Sequence, residues 1–547
     1  MEFNLADLFE IVADACPDRT ALVAGDARLT YRALDERANR VAHHLRDSGV
    51  QPGDWVAVLA WNRAEWIEAQ HGIYKARCAV VNVNYRYVAD ELRYMLQNSE
   101  AVAIVFERAF ATMVAEVAGD APSLHHFVVI DDGTDDAESA AAITALGAVA
   151  YEDALAAASP SREALGPRSA DDLYVLYTGG TTGMPKGVMW RAEDIFFAAL
   201  GGGGFGKPPI ATPEELAERV PADGAQMVGI VNAPMMHGGG QWVSYINFFG
   251  GGTVILNTEH HFDGQRIWRL AADEKALSIM VVGDAMARPL AEALDHLPED
   301  VDISSVFMIG SGGSILSPSI KDHLRERLPG VLVVDSFGAS ETGAAGAVMD
   351  RDGPAQGPRF TVNAQMNVVD DDGRPVEPGS GKTGHLARRG HIPLGYWKDP
   401  EKTAATFITG PDGVRWVIPG DFATIETDGT ITMLGRGSMC IQSGGEKIFP
   451  EEVESALKAH PAVFDAVVVG VPDDRFVERV AAIVKVRDGV DAPTLDDLQV
   501  FCRKHIAGYK VPRELHLTEV IPRTPVGKPD YRKAKAMALG ETTGGDS

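Results

Sequence analysis

The chain has 547 residues, 45% of them hydrophobic, which is more apolar material than one core normally organises, so at least two domains are expected. A formal net charge of −27 without any basic stripe excludes a nucleic-acid backbone as partner, because its phosphates would be repelled. Four cysteines, Cys16, Cys78, Cys440 and Cys502, lie far apart without paired spacing, which rules out a familiar zinc framework and reads as packing residues in a reducing compartment.

The first residues include Glu2, Asp7, Glu10 and Asp14 and have neither the basic nor the apolar region of a signal peptide. No run is long enough to span a bilayer, so the expected location is the cytoplasm, without integral membrane association. Leu5, Leu8, Phe9 and Val12 recur at helical spacing, as do Leu34, Ala38, Val41 and Leu45 within 31–45. Strands are then predicted at 55–59, 79–83 and 101–106, with helices at 65–75 and 90–97 between them. This alternation predicts a doubly wound, largely parallel sheet. The segment 132–170, rich in Ala, Asp, Ser and Gly, is expected to be a surface excursion.

Residues 172–177 alternate and are rich in β-formers, so they read as a strand that delivers the run Tyr177 to Gly187. In that run Gly179, Gly180 and Gly183 let the backbone turn without Cβ penalties. Thr178, Thr181 and Thr182 add hydroxyls, and Lys186 adds a point charge, as a phosphate loop requires. A flexible surface turn is the plainer reading of Gly and Thr alone. A Walker-type loop needs Gly-Lys-Ser/Thr opening a helix, whereas Lys186 stands between Pro185 and Gly187. The eleven residues resemble instead the phosphate-binding signature of the adenylate-forming superfamily, which includes acyl-CoA synthetases, peptide-synthetase adenylation domains and beetle luciferases.

A helix at 194–200 runs into Gly201 to Gly204, which either ends it or forms a flexible lid. The stretch 231–242 places His237 and Trp242 around three glycines. A lone His in such a loop is usually structural, but the resemblance makes His237, Gln241 and Trp242 candidates for the acyl pocket. Strands at 305–309 and 331–335 are predicted to deliver the loops 310–314 and 336–343 into one crevice. Gly312, Gly313 and Ser314 lie on the first loop. The second, with Asp335, Ser336, Phe337, Gly338, Ala339 and Ser340 leading to Glu341, resembles the family's aromatic-Gly-x-Thr-Glu motif. In that motif the ring stacks on adenine and the Glu holds Mg²⁺. Ser340 replaces the usual Thr and keeps a hydroxyl.

Asp428-Gly429 centres a predicted hairpin over 422–434. Asp421, just before it, matches the family's ribose-binding Asp; a carboxylate can accept from both vicinal hydroxyls. Arg436 is by resemblance a nucleotide contact at a domain boundary, and otherwise a surface ion-pair residue near a hinge. A small α+β unit follows, with a helix from Pro450, strands at 463–471 and 480–486 and a helix at 495–506. The motif 522–528 makes Lys528 the counterpart of the family's catalytic lysine. Gly444 and Gly445 are expected beside CoA. The pivot usually carries Asp or Lys shortly after the Arg; here Gly437 and Ser438 follow it, and glycine can supply the backbone freedom.

The resemblance therefore implies an α/β protein. It would have a large N-terminal AMP-binding domain (1–435) of doubly wound sheets plus a β-rich subdomain, a small mobile α+β C-terminal domain (436–540), and a disordered tail (541–547). It implies an acid:CoA ligase that forms acyl-AMP from ATP and a carboxylic acid with Mg²⁺, then transfers the acyl group to CoA, with Lys186, Glu341 and Lys528 catalytic. The alternative is a stand-alone adenylation enzyme that loads a carrier protein. The stretches 81–87, 189–197 and 437–445 resemble a bacterial branch of fatty acyl-CoA ligases that includes enzymes activating sterol side-chain acids. A medium- to long-chain, branched or ring-bearing acid is expected, and a homodimer is left open.

Overall fold

Helix Ala64–Lys75 has no solvent side in the computed structural model, which describes residues 2–178, 184–202, 207–221, 226–314, 316–350, 359–436, 439–443, 446–473, 477–524 and 528–541. Trp66, Ile67, Ala69, Ile73 and Tyr74 cover its faces and are all buried. It meets helix Tyr31–Asp47 at a spacing that glycine permits, since a Cβ on Gly72 would lie 2.4 Å from Val41 Cβ. The core around this helix joins the inner faces of two sheets, with Val56, Val58 and Val105 from one and Leu22, Val231 and Val254 from the other.

The first sheet is wholly parallel, in the order Ala79–Asn82, Trp55–Leu59, Ala103–Glu107, His126–Ile130, Val149–Ala150. The second runs parallel through Thr20–Ala24, Thr253–Leu256, Val228–Val231, Ser278–Val281, Met308–Gly312 and Leu332–Ala339. It then turns antiparallel through Gly343–Asp350 and Arg359–Val362 into a β-rich region that contains the Asp421–Ile425 and Ile431–Arg436 hairpin. A separate sheet, built on Val463–Asp473 and Val477–Val486, carries helices Pro450–Lys458 and Leu495–Cys502. The architecture is the expected α/β one, with the crossovers of a doubly wound fold.

Three expectations are corrected. Segment 132–170 is no excursion: it forms helix Ala137–Leu146, the fifth parallel strand and helix Tyr151–Ala157. Its alanines favour helix and the Asp136 side chain caps the first turn, accepting from Ser139 N at 2.7 Å. The strand read at 305–309 lies instead at Met308–Gly312, and the one read at 331–335 continues to Ala339, so little loop remains at either end. Cys440 is only half-buried, whereas Cys16, Cys78 and Cys502 are packed inside as expected.

The chain leaving this segment is pinned by charge. Lys75, fully buried at the end of its helix, pairs with Glu10 and, at 2.8 Å, with Asp35. Arg168 pairs with Asp7 and, at 2.9 Å, with Glu10, while Arg162 lies 2.8 Å from Asp35. Removing one member of such a buried cluster strands its partners without a countercharge. Lys75→Met is expected to cost about 3 kcal/mol, the low end for a buried pair because Arg162 and Arg168 remain. The urea midpoint measures this, and a loss under about 1 kcal/mol would show the cluster to be dispensable.

Candidate active site

Strands Leu173–Thr178 and Lys186–Arg191 form an antiparallel hairpin with Thr178 opposite Lys186, so the glycine- and threonine-rich run closes a hairpin. It does not leave the end of a parallel strand. With Gly395–Tyr396 the hairpin makes a three-stranded sheet of its own. Gly179, Gly180, Thr181, Thr182 and Gly183 lie outside the described residues. The loop's exit is held by Tyr94, whose hydroxyl donates to Pro185 O at 3.0 Å. Lys186 donates to the Asp399 carboxylate, and that contact, followed by the Lys402 backbone N–H, holds Asp399 below the usual carboxylate range.

The second element is the turn 340–342 between Leu332–Ala339 and Gly343–Asp350. It is tight because Gly338 lets the strands close: a Cβ there would lie 2.3 Å from Gly343 O. Ala339 N donates to Thr342 Oγ1 at 3.0 Å. Trp190 Nε1 donates to Ser340 O at 3.0 Å, and Tyr396 OH donates to Glu341 Oε1 at 2.8 Å. Both donors lie in the three-stranded sheet, and Tyr396 pairs with Val188, two residues from Lys186. Glu341 and Lys186 are thus tied to one small sheet, and Oε2 of Glu341 has no hydrogen bond among the described residues.

Gly312, the last residue of its strand, stands opposite Ser336 where the parallel pairing of the two strands ends, and Gly312, Gly313 and Ser314 are all accessible to solvent there. Phe337 is partly buried, its ring 4.5 Å from that of Phe360. The Asp335 side chain belongs to the core instead: it pairs with Lys321 at 3.1 Å, both groups buried. Burial outweighs that partner and pushes Asp335 up to about 6. The nucleotide contact expected of Asp335 therefore does not extend to its carboxylate.

The stretch after Val228–Val231 is only partly a loop, because helix Gly238–Phe249 begins directly after His237. Gln241 is buried on this helix and its amide is consumed: Nε2 donates to Met235 O at 2.9 Å, while Oε1 accepts from Gln70 at 2.9 Å and Tyr174 OH at 2.7 Å. Trp242 Nε1 donates to Tyr174 OH at 3.1 Å. Gln241 holds the loop rather than facing an open acyl pocket, which corrects its assignment. His237 is half-buried, and its Nε2 is sealed from solvent without a partner among the described residues. Burial first, then the positive charges of Lys528 and Arg86, push this imidazole down to about 3. Lys528 itself is exposed.

Asp421 stands opposite Arg436 across their strands. The Arg436 side chain, Gly437, Ser438, Gly444 and Gly445 lie outside the described residues. Tyr396 and Asp399 escaped the sequence reading although the run Gly395-Tyr-Trp-Lys-Asp-Pro400 carried a signal, two aromatics before an Asp-Pro helix start, with Asp399 accepting from Lys402 N at 2.9 Å.

The AMP-binding enzyme family matches residues 9–397, and the AMP-binding enzyme C-terminal domain matches 452–528. The chain is 48% identical over 545 residues to a 3-oxocholest-4-en-26-oate–CoA ligase of Rhodococcus rhodochrous, covering 98% of this chain and 96% of that one. It is also 48% identical over 541 residues to a medium/long-chain-fatty-acid–CoA/3-oxocholest-4-en-26-oate–CoA ligase of Mycolicibacterium smegmatis, with the same coverage. Among solved structures, ATP-bound MatB from Rhodopseudomonas palustris superposes with a TM-score of 0.81 at 24% identity, over 98% of this chain and 99% of that one, a likeness of fold.

A histidine kept neutral in the fold takes up its proton on unfolding, so between its ordinary 6.5 and about 3 the folded state loses stability as pH falls. His71, pushed down to about 3, and His126, pushed down to about 4, act alike. The acid slope of stability in His237→Gln is therefore expected to be shallower by up to ~1.4 kcal/mol per pH unit. Urea unfolding from pH 7 to 4 measures it, and equal slopes would place a charged imidazole in the fold.

Proposed function

Because the chain belongs to the AMP-binding enzyme family, we propose that it activates a carboxylic acid with ATP and passes the acyl group to coenzyme A, releasing AMP and pyrophosphate. The acid is medium- to long-chain, branched or ring-bearing, sterol side-chain carboxylates included, as the names of the two relatives above suggest. The observation that carries the reading is the linkage of Lys186 and Glu341 through one small sheet, next to the ends of parallel strands where Gly312 meets Ser336.

Carboxylate attack on the α-phosphorus brings two anions together, so the first need is neutralising charge. Lys186 supplies it to the phosphates; its Asp399 partner is solvent-exposed in part, and such pairs are weak enough to be exchanged for a ligand. Lys528, whose charge reaches His237, supplies it from the C-terminal side. The bond from the acid oxygen to phosphorus forms as pyrophosphate leaves; then the CoA sulfur takes the acyl carbon and AMP leaves. No nucleophilic side chain enters either step. Glu341, oriented by Tyr396, suits Mg²⁺, which characteristically takes one or two protein carboxylates beside substrate phosphates. When bound, the ion offsets phosphate charge.

The remaining roles follow the same reading. The hydroxyls of Ser336 and Ser340 and the accessible backbone at Gly312 and Gly313 face the nucleotide, Phe337 the adenine and Asp421 the ribose. His237 and Trp242 border the acyl group. We divide the chain at 435/436, with Gly437 and Ser438 as pivot and Gly444 and Gly445 beside the pantetheine arm.

AMP release with ATP and a panel of acids, with and without CoA, tests the activity. Large apolar acids should turn over repeatedly only with CoA; acetate as best substrate, or turnover indifferent to CoA, would refute the reading. Glu341→Ala should lower acid-dependent pyrophosphate exchange more than a hundredfold with an unchanged melt, and Tyr396→Phe about tenfold with a raised Mg²⁺ requirement, as expected for a group that orients a metal ligand. Normal exchange in Glu341→Ala would remove that carboxylate from the site.

A further inference from the structure

Arg288 is an interior guanidinium without a carboxylate. It lies on helix Gly283–Ala293, which follows strand Ser278–Val281, is 7% exposed and makes no ion pair among the described residues. What covers it comes from the other end of the chain: its Cζ sits 4.2 Å from the centroid of the Phe464 ring. Phe464 is the extra residue of a bulge between Val463 and Asp465 where Val463–Asp473 pairs with Val477–Val486, and a bulge re-aims a side chain out of the regular alternation. Lys485 Nζ approaches the same ring at 4.8 Å.

The groups around this contact leave it isolated. Asp284, one turn earlier, is occupied by Ser317, whose backbone N–H donates to it at 2.8 Å and whose hydroxyl donates as well. Asp465 is held by Lys458 at 3.3 Å and by Arg523 at 2.5 Å. Asp284, Asp465, Glu292 and Arg487 all act on Arg288 from a distance, and burial is the largest influence, pulling its pKa down. A buried cation that meets only a ring is partly compensated, and water solvates it fully when the ring withdraws. Such a contact opens and closes near balance, unlike the doubly hydrogen-bonded Arg479–Glu514 pair inside the C-terminal unit, at 2.7 and 2.6 Å.

We infer that the Arg288 guanidinium on the Phe464 ring is the latch that holds the C-terminal unit in the orientation bringing Lys528 to His237, and that Arg288 is a positioning residue for acyl-adenylate formation. The activity part of this inference rests on the function proposed above; the orientation part does not.

Fluorescent labels on cysteines introduced at Asp302 and Val490, exposed sites on the two sides, report the orientation in the full chain. Arg288→Ala and Phe464→Leu should each shift the equilibrium away from the latched distance about three- to thirtyfold, the range of a cation–π contact. The double variant should shift it no further than the larger single, and Arg288→Lys with Phe464→Trp should restore most of it. Acid-dependent pyrophosphate exchange should fall in proportion to the latched fraction that the labels report, while thioester formation from supplied acyl-adenylate and CoA is not slowed. A shift under twofold in Phe464→Leu, whose residue is only half-buried, or additive effects in the double variant, would overturn the latch. So would equal losses in both half-reactions with unchanged label distances. Absence of exchange in the wild type would count against the ligase reading alone, since the label distances still decide the latch.

Discussion

One buried amide joins the parts from which the site is made. Asn82, at the end of a strand of the first parallel sheet, accepts from Tyr177 N at 2.8 Å and donates to Tyr177 O at 3.0 Å and Met236 O at 2.6 Å. Tyr177 precedes the glycine-threonine run in the three-stranded sheet, and Met236 precedes His237 in the second parallel sheet's loop. A side chain that is 4% exposed thereby fixes two loops from separate layers relative to a third. Each bond contributes about 1 kcal/mol, and an apolar residue there would leave three buried backbone groups unpaired at a larger cost.

Burial also sorts the charges by task. Lys321 with Asp335, and Lys75 with Glu10 and Asp35, are sealed pairs whose separation is costly, so they hold elements in place. Lys186 with Asp399 is open to solvent, and its cation is available to an incoming anion. Arg388 belongs to the first group although no carboxylate pairs with it among the described residues. It donates to Thr342 O and, at 3.0 Å, to Ala344 O, bracing the far side of the Glu341 turn, and burial pushes it down to about 10. Rigid support beneath a solvent-open cation is what a site working by positioning and charge requires.

The helices and strands of the first half were legible because one face of each meets the core, and the sequence repeats with that face. What escaped depends on contacts between distant residues. The three glycines at 238–240 read as loop, yet they open a helix because the backbone passes so near: a Cβ on Gly240 would lie 2.6 Å from Pro234 O, and one on Gly238 2.9 Å from Leu176 Cδ2. Gln241, which the resemblance set beside the acyl group, is buried on that helix with its amide bonded. Asn82, Tyr396, Asp399 and Arg388 act on residues 46 or more positions away, and nothing in their local sequence announces those partners. Lys186, Glu341 and Lys528 stood out because their motifs are local.

The central claim is that the acid oxygen bonds to the α-phosphorus before CoA enters. A single turnover with ¹⁸O-labelled carboxylate, ATP and CoA tests it by mass spectrometry of the released AMP and pyrophosphate. The account predicts one ¹⁸O in AMP and none in pyrophosphate. Label appearing in pyrophosphate or inorganic phosphate, with AMP unlabelled, would contradict it.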